Sequence, residues 1–383
     1  MQEGWRSCTG GVSLTSHSTT TGSDEVDDLD PTESSQQGTV ISVDGGSISR
    51  DRYKNSPNQM PLDLFELENS HYSNTIDLYD ALPKYTHSDK RRTTDLASAE
   101  TTRYCRIANV DYKVIIRPAI IKDDKGDNVL IYPGTREDVV ESVLRKLAVE
   151  GQSRIVSDEV GVTFSLYQVH KELKKRKHGY SIQEIKEAIM VCRGASLECY
   201  TADGETVIAS SFFPTVALRT RKDWLKNPTG SHCVVVFNPL VTRSIQQLTF
   251  RPYNYVVNMS MNSPLARFLH KKMSHNYKQA STDNPYSIML VSFLKGSERG
   301  LSPRMPENVR AMKNALDHLV KHKIIDHYNV EKIVEGQATI DVKYEIFPHA
   351  DFIRDVIAAN RTQKQNNIKA LRHSVTGDDR RGK

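Results

Sequence analysis

At 383 residues, with 38% hydrophobic and 26% charged side chains, the chain is too long for a single small domain and apolar enough to bury at least two ordinary cores. Its 20 Gly and 15 Pro follow no regular period, which excludes a collagen-like rod, and 7% aromatic residues are too many for disorder throughout. The formal net charge of +5 hides a division: residues 1–100 hold 8 Lys and Arg against 17 Asp and Glu, so an acidic leader precedes a basic body.

A basic body attracts a polyanion by steering and counterion release, although charge alone identifies no partner. No apolar run of about eighteen residues occurs, and MQEGWRSCTG lacks the basic cap and apolar stretch of a signal peptide, so a cytoplasmic location is expected. Cys8, Cys105, Cys192, Cys199 and Cys233 are odd in number and never spaced as CxxC, which argues against a disulfide framework or a thiolate zinc site.

Residues 1–57 are rich in Ser, Thr, Gly and Asp and read as a disordered leader, because too few large apolar groups offset the ordering entropy. Residues 58–103 read as a flexible arm with two apolar islands, QMPLDLF and TIDLYDALPKY. Gln59, Leu62, Leu64 and Phe65 of the first island can act as anchors of a linear motif or cover the edge of the first core.

Order is expected from Tyr104. YCRIANVDYKVIIRPAII reads as one or two strands, followed by a polar turn and a short strand. A helix opens near Thr135 with Val139, Val140, Val143, Leu144 and Leu147 on one face. Ser165 caps a second helix, and Ser181 with Glu184 forms the capping box of a third, whose inner stripe is Ile182, Ile185, Ala188, Ile189 and Cys192. Two strands around Asp203-Gly204 close this series.

Residues 221–249 read as a linker and strand segment. HCVVVFNPLV and the extended-looking LTFRPYNYVVNMSM are free to pair with each other or with a partner subunit. The earlier order then returns: a helix capped by Ser263-Pro264, a short apolar helix from Ser287 to Leu294, a third from Pro306 with Val309, Met312, Leu316, Leu319 and Val320 inward, and a hairpin turning at Glu335-Gly336. Three short amphipathic helices enclose a core only if the hairpin covers the open side. The fold class is therefore α+β, with two tandem winged-helix domains at residues 104–220 and 250–358, and residues 359–383 form a basic disordered tail.

In such a unit the third helix is free to enter a major groove roughly 12 Å wide. The outward set of the first unit is Gln183, Lys186 and Arg193, with Glu187 and Met190 between them and Lys174, Lys175, Arg176 and Lys177 at the preceding turn. Glu187 is repelled by phosphate unless it accepts from cytosine. The second unit offers Arg304, Asn308, Arg310, Lys313, Asn314 and Lys321, with Arg267 and Lys271 one helix earlier. His270 with His275, and His318 with His322, have helical spacing but no convincing acidic or thiolate partner, so no metal site or cofactor is expected.

The segments IIRPAII, YPGTREDVVESVLRKLA, FSLYQVHKELKKRKHGYSIQEIKEAIMVCRGASLE and NMSMNSPLARFLHKKM together resemble plasmid replication initiators of Gram-negative bacteria, the iteron-binding type, over about residues 60–358. That resemblance implies binding to repeated sites in a plasmid origin, opening of an adjacent AT-rich region, recruitment of the host initiator and replicative helicase, and a homodimer in equilibrium with a monomer. It makes Val234 to Val257 the candidate for dimerisation or an interdomain sheet. QMPLDLF is similar to the peptide that bacterial proteins insert into the sliding clamp, with Gln59, Leu62, Leu64 and Phe65 matching its anchors.

No GxxxxGKS/T loop, GxSxG elbow or HExxH helix occurs, and no His-apolar-His pair accompanied by a candidate nucleophilic tyrosine is found, so the chain is expected not to be an enzyme. A transcriptional repressor with the same duplex readout and a protein-docking adaptor are the other two classes compatible with winged helices.

Overall fold

The structure is a computed structural model that describes residues 59–87, 92–93, 99–122, 125–219 and 232–378. The expected leader, residues 1–57, lies outside the described residues. The chain enters as helix α1 (Gln59–Phe65), strand β1 (Tyr72–Ile76) and helix α2 (Asp77–Ala81), followed by the two-residue strand β2 (Arg92–Thr93). Two hairpins come next, β3 (Thr101–Ile107) with β4 (Val110–Arg117) and β5 (Ala119–Lys122) with β6 (Asn128–Ile131). The first turns through Ala108 and Asn109, both at positive φ, the geometry that matches the twist of a tight hairpin.

Helix α3 (Thr135–Leu147) starts where the Glu137 carboxylate accepts from the Gly134 N–H at 2.8 Å. Its apolar stripe Val139, Val140, Val143, Leu144 and Leu147 is buried, as the spacing predicts, but so are Asp138, Glu141 and Arg145 on the other side, Lys146 at the flank and Arg136 one turn before the stripe. This helix has no solvent face. One π-helical turn (Ala148–Gln152) leads into hairpin β7 (Ser153–Val156) and β8 (Glu159–Phe164), then α4 (Leu166–Lys175), α5 (Ile182–Gly194), β9 (Ser196–Thr201), β10 (Thr206–Ser211) and β11 (Thr215–Ala217). Ser165 and Ser181 cap α4 and α5 through complete capping boxes. Gly204 supplies the positive φ that the β9–β10 turn requires.

The next elements are β12 (Cys233–Val236), α6 (Pro239–Gln246), β13 (Phe250–Asn254) and α7 (Tyr255–Ser260). Both segments expected to pair with each other or with a partner subunit find different partners within this chain. β12 lies between β8 and β11, and β13 pairs antiparallel with β1 from Tyr72↔Asn254 to Ile76↔Phe250. A side chain at Gly161 of β8 would stand 2.7 Å from the Val235 carbonyl oxygen, so this strand pair needs glycine there. Tyr255–Ser260 is helical rather than extended because the Asn254 side chain accepts from the Val257 N–H at 3.1 Å.

The second unit runs α8 (Pro264–Asn276), β14 (Tyr286–Met289), α9 (Leu290–Lys295), α10 (Met305–Lys321), β15 (Ile325–Glu335), β16 (Ala338–Pro348) and α11 (Ala350–Asp378). Helix, strand, two helices and a hairpin is the order of a winged helix, and the first unit shows it from α3 to β10 with the β7–β8 hairpin in place of the single strand. The sheet order is β14-β16-β15 here, and β10-β9-β4-β3, β11-β12-β8-β7 and β2-β6-β5 in the first unit, so the α+β class and the tandem arrangement both hold. The expected helix Ser287 to Leu294 is instead half strand, because Tyr286 to Met289 pair with β16.

Hydrophobic residues gather into two cores, one spanning Leu62 to Met259 and the other Met261 to Val356. The first reaches back through the arm, which corrects the expectation of a flexible segment before Tyr104: β1 is almost wholly buried, and Leu62 and Phe65 of α1 pack inside, Phe65 edge-on to Phe250 at 5.1 Å. The basic tail is also corrected. From 359 onward α11 continues to Asp378, anchored by buried Phe352, Val356 and Ala359 and by Gln363, whose amide donates to the Leu248 carbonyl at 2.7 Å. Among the described residues no helix is long and apolar enough to cross a membrane.

The burial of α1 makes a direct prediction. Phe65→Ala removes a fully packed ring and should cost about 3–5 kcal/mol in urea unfolding; a loss under about 1 kcal/mol would mean that α1 is not part of the core.

Candidate nucleic-acid interface

Helix α5 forms because Ser181 accepts from the Glu184 N–H while the Glu184 carboxylate accepts from the Ser181 N–H, at 3.2 and 2.8 Å. Ile185, Ala188, Ile189, Val191 and Cys192 hold it to the core. Its far side shows Gln183, Met190 and Arg193 exposed and Lys186 half-buried, as the spacing predicts, although Ile182 also lies outward at 40% exposure. Lys174, Lys175 and Lys177 are exposed at the preceding turn. Arg176 is not part of that group: its Nε donates to Glu172 at 2.8 Å and its guanidinium lies 5.6 Å from the Tyr255 ring centre, so it belongs to the body.

Glu187 is not a bare negative charge on this face. Its Oε1 accepts from Arg136 Nη2 at 2.9 Å and from Arg92 Nη2 at 2.8 Å. Burial alone would lower the Arg136 pKa, but Glu137 and Glu187 raise it above its ordinary value. Arg92 and Arg136 escape sequence reasoning because they lie 95 and 51 residues from Glu187 along the chain.

In α10 the buried set is Met312, Ala315, Leu316 and Leu319, with Val320 outward rather than in the core. Arg304, Arg310, Lys313, Asn314 and Lys321 are exposed. Arg304 pairs with Glu307 at 3.4 Å and Lys313 with Asp317 at 2.6 Å, whereas among the described residues Arg310 and Lys321 form no ion pair. Asn308 departs from the expected outward set: it is buried, accepts from the Ser302 N–H at 2.9 Å and from Arg299 at 3.0 Å, and donates to the Ser302 carbonyl at 2.8 Å. It ties the loop before α10.

Arg267 and Lys271 are likewise removed from the candidate surface. Both are buried on α8 and turn toward Asp138 of α3, Arg267 Nη2 at 2.9 Å and Lys271 Nζ at 3.4 Å, with Lys271 also 3.2 Å from Ser142 Oγ. The reason is their i, i+4 spacing, which puts both cations on one side of α8 against a buried acid. Arg145 makes a comparable fork to Asp80, at 2.8 Å on each oxygen.

The proposed clamp anchors are not available as a linear motif. Leu62 and Phe65 are 4% and 1% exposed inside the protein's own core, Leu64 is half-buried, and Gln59 donates to Asp63 at 2.7 Å. The histidine pairs also have ordinary roles. His275 Nδ1 lies 2.9 Å from Thr75 Oγ1, and the rings of His318 and His322 stack with 6.4 Å between centres.

No protein-family model matches this sequence, and neither does any curated protein. Among solved structures, the chain is similar to a crystal structure of domains 2 and 3 of RctB, with a TM-score of 0.44 and 11% identity over 75% of this chain and 98% of that one. A second structure of RctB domains 2-3 gives 0.43 and 10% over 72% and 98%. The Pi initiator protein in complex with iteron DNA gives 0.40 and 12% over 56% and 91%.

Two outcomes follow from the buried charges. Arg267→Ala leaves the buried Asp138 with Lys271 as its remaining cation and should cost about 2–4 kcal/mol in urea unfolding, while exposed Lys175→Ala should change stability by under about 0.5 kcal/mol. Acid should act in two stages. His270 is pushed down to about 3 by burial and by the Lys271 ammonium, so the unfolded chain takes up that proton first and stability falls as pH drops below about 6.5. Burial would raise the Asp138 pKa, but Lys271 and Arg267 hold it well below the carboxylate range, so its contribution is complete above about pH 4 and fades below. Urea midpoints measured from pH 7 to pH 3 check this: a flat profile down to about pH 4 would contradict the His270 assignment.

Proposed function

We propose that this chain is a non-enzymatic DNA-binding protein that recognises repeated sites in a plasmid replication origin. The observation that carries this reading is the pair of winged-helix units, each presenting a helix held on its inner side by a packed core and showing cations outward: Lys186 and Arg193 on α5, Arg310 and Lys321 on α10. The single acid in the middle of the α5 face is covered by arginine, so the surface offered to a phosphate backbone is not repulsive. The sequence resemblance to iteron-binding initiators supplies the setting.

In this reading Lys174, Lys175, Lys177 and Lys321 contact phosphates, which fixes register without reading sequence. Gln183, Arg193, Arg310 and Asn314 face base edges, where a bidentate contact discriminates by about 1–3 kcal/mol. With no nucleotide hydrolysis, strand opening is driven by the free energy of binding at the repeats, and AT-rich sequence keeps the deformation cost low. Recruitment of the host initiator and replicative helicase, a dimer in equilibrium with a monomer and a cytoplasmic location complete the proposal.

Selection of bound fragments from the host plasmid tests it, the expected yield being direct repeats beside an AT-rich tract. Permanganate reactivity of thymines in that tract distinguishes an initiator from a repressor, which would protect its site and leave the thymines paired. The variant carrying Lys186→Ala, Arg193→Ala, Arg310→Ala and Lys321→Ala should lose at least about 100-fold in affinity at about 0.15 M salt. Retention of the variant on duplex DNA across a salt titration would refute the assignment of both faces.

A further inference from the structure

Resting on that reading, we infer that Arg92, which belongs to the arm and not to a helix of either winged-helix unit, is a further DNA-backbone contact, positioned beside the first recognition helix by Glu187. Three features place it there. β2 adds to the edge of β6, so that Arg92, Ile131 and Ala119 form one cross-strand row. The Ala119 end of that row packs on α5: a side chain at Gly194 would stand 2.9 Å from the Ala119 Cβ, an approach only glycine permits. The Arg92 end meets the outward face of α5, where Nη2 reaches Glu187 at 2.8 Å.

The two arginines that share Glu187 differ in what they have left to give. The Arg136 side chain is 10% exposed and is also held by Glu137 at 2.9 Å, so it supports the carboxylate from behind. The Arg92 side chain is 56% exposed. A guanidinium has five donors in a rigid fork, so Arg92 keeps its bond to Glu187 through one edge while another meets a phosphate oxygen. Glu187 is then a positioning residue: it sets the direction of a cation that would otherwise sweep a wide volume, and its own charge is spent on two partners.

Salt-dependent binding to a fluorescent mixed-sequence duplex of about 30 base pairs tests the inference, with folding checked by thermal melting. Arg92→Ala is expected to bind about 3- to 10-fold more weakly at about 0.1 M salt and to lower the slope of log K against log salt by about 1. Arg92→Lys should keep the slope, because charge is retained, while losing part of the affinity. Glu187→Gln should give no gain in affinity, since the loss of positioning offsets the loss of negative charge. An unchanged slope in Arg92→Ala, or a several-fold gain in Glu187→Gln of the kind a bare interfacial carboxylate would give, overturns the role of Arg92 and leaves the function standing. Absence of duplex binding by the wild-type chain overturns both.

Discussion

Asp138 receives Arg267 and Lys271 from 129 and 133 residues further along the chain, and this is the buried ionic contact among those, such as Tyr72 to Asp355 and Arg251 to Asn360, that join the two winged-helix units. Taking a carboxylate and two cations out of water costs several kcal/mol per ion, and only close geometry with further hydrogen bonds offsets it. Here the guanidinium meets Asp138 through two nitrogens, and also donates to the Met261 carbonyl at 3.1 Å, while Ser142 takes up part of the ammonium. The arrangement is specific more than it is strong. A hydrophobic contact between α3 and α8 would tolerate sliding, whereas an acid facing two cations at i and i+4 has one register.

The same contact explains why α3 is charged on the side away from its apolar stripe and yet has no exposed face. Asp80, joined to Arg145 and within 3.6 Å of Lys84, extends the polar layer into the arm. His270 is kept neutral inside it by burial and by Lys271, and the Asn258 amide, donating to Nδ1 at 3.0 Å, leaves the other ring nitrogen to carry the proton. The arm, the first unit and the second unit thus meet in one layer of paired charges between two apolar cores.

The elements that local chemistry decides were legible in the sequence. Ser165 and Ser181 with their glutamine and glutamate partners, Pro264 and Pro306 near helix starts, Gly204 and Gly336 in turns, and the valine-leucine stripe of α3 all have their physical cause within a few residues. The exposed cations of α5 and α10 follow from the same periodicity. What was not legible has its partner far away. Arg267 and Lys271 look like surface cations until Asp138 is placed opposite them, and Asn308 looks like a reader of bases until the Ser302 loop closes on it. Composition also misleads at the C-terminal end, where the basic residues from Arg361 onward continue a helix that Phe352, Val356 and Ala359, at helical spacing, have already anchored in the core. The segment α1 shows the same trap: a peptide with recognisable anchors uses them on its own core.

A continuous line of helix contacts runs from α5 through α3 and α8 to α10, and the ionic layer occupies its middle. The two faces proposed to read DNA are therefore mounted on one body rather than joined by a tether. A tethered pair of modules gains from its second site only an effective concentration set by linker length, and it accepts many spacings. A rigid pair commits its orientational entropy at folding, so the second contact costs little once the first is made, and it rejects any site whose half-sites are out of step with the helical repeat. Discrimination between repeats would then reside partly in Asp138, Arg267 and Lys271, which touch no base, because they set the distance and angle at which Arg193 and Arg310 arrive.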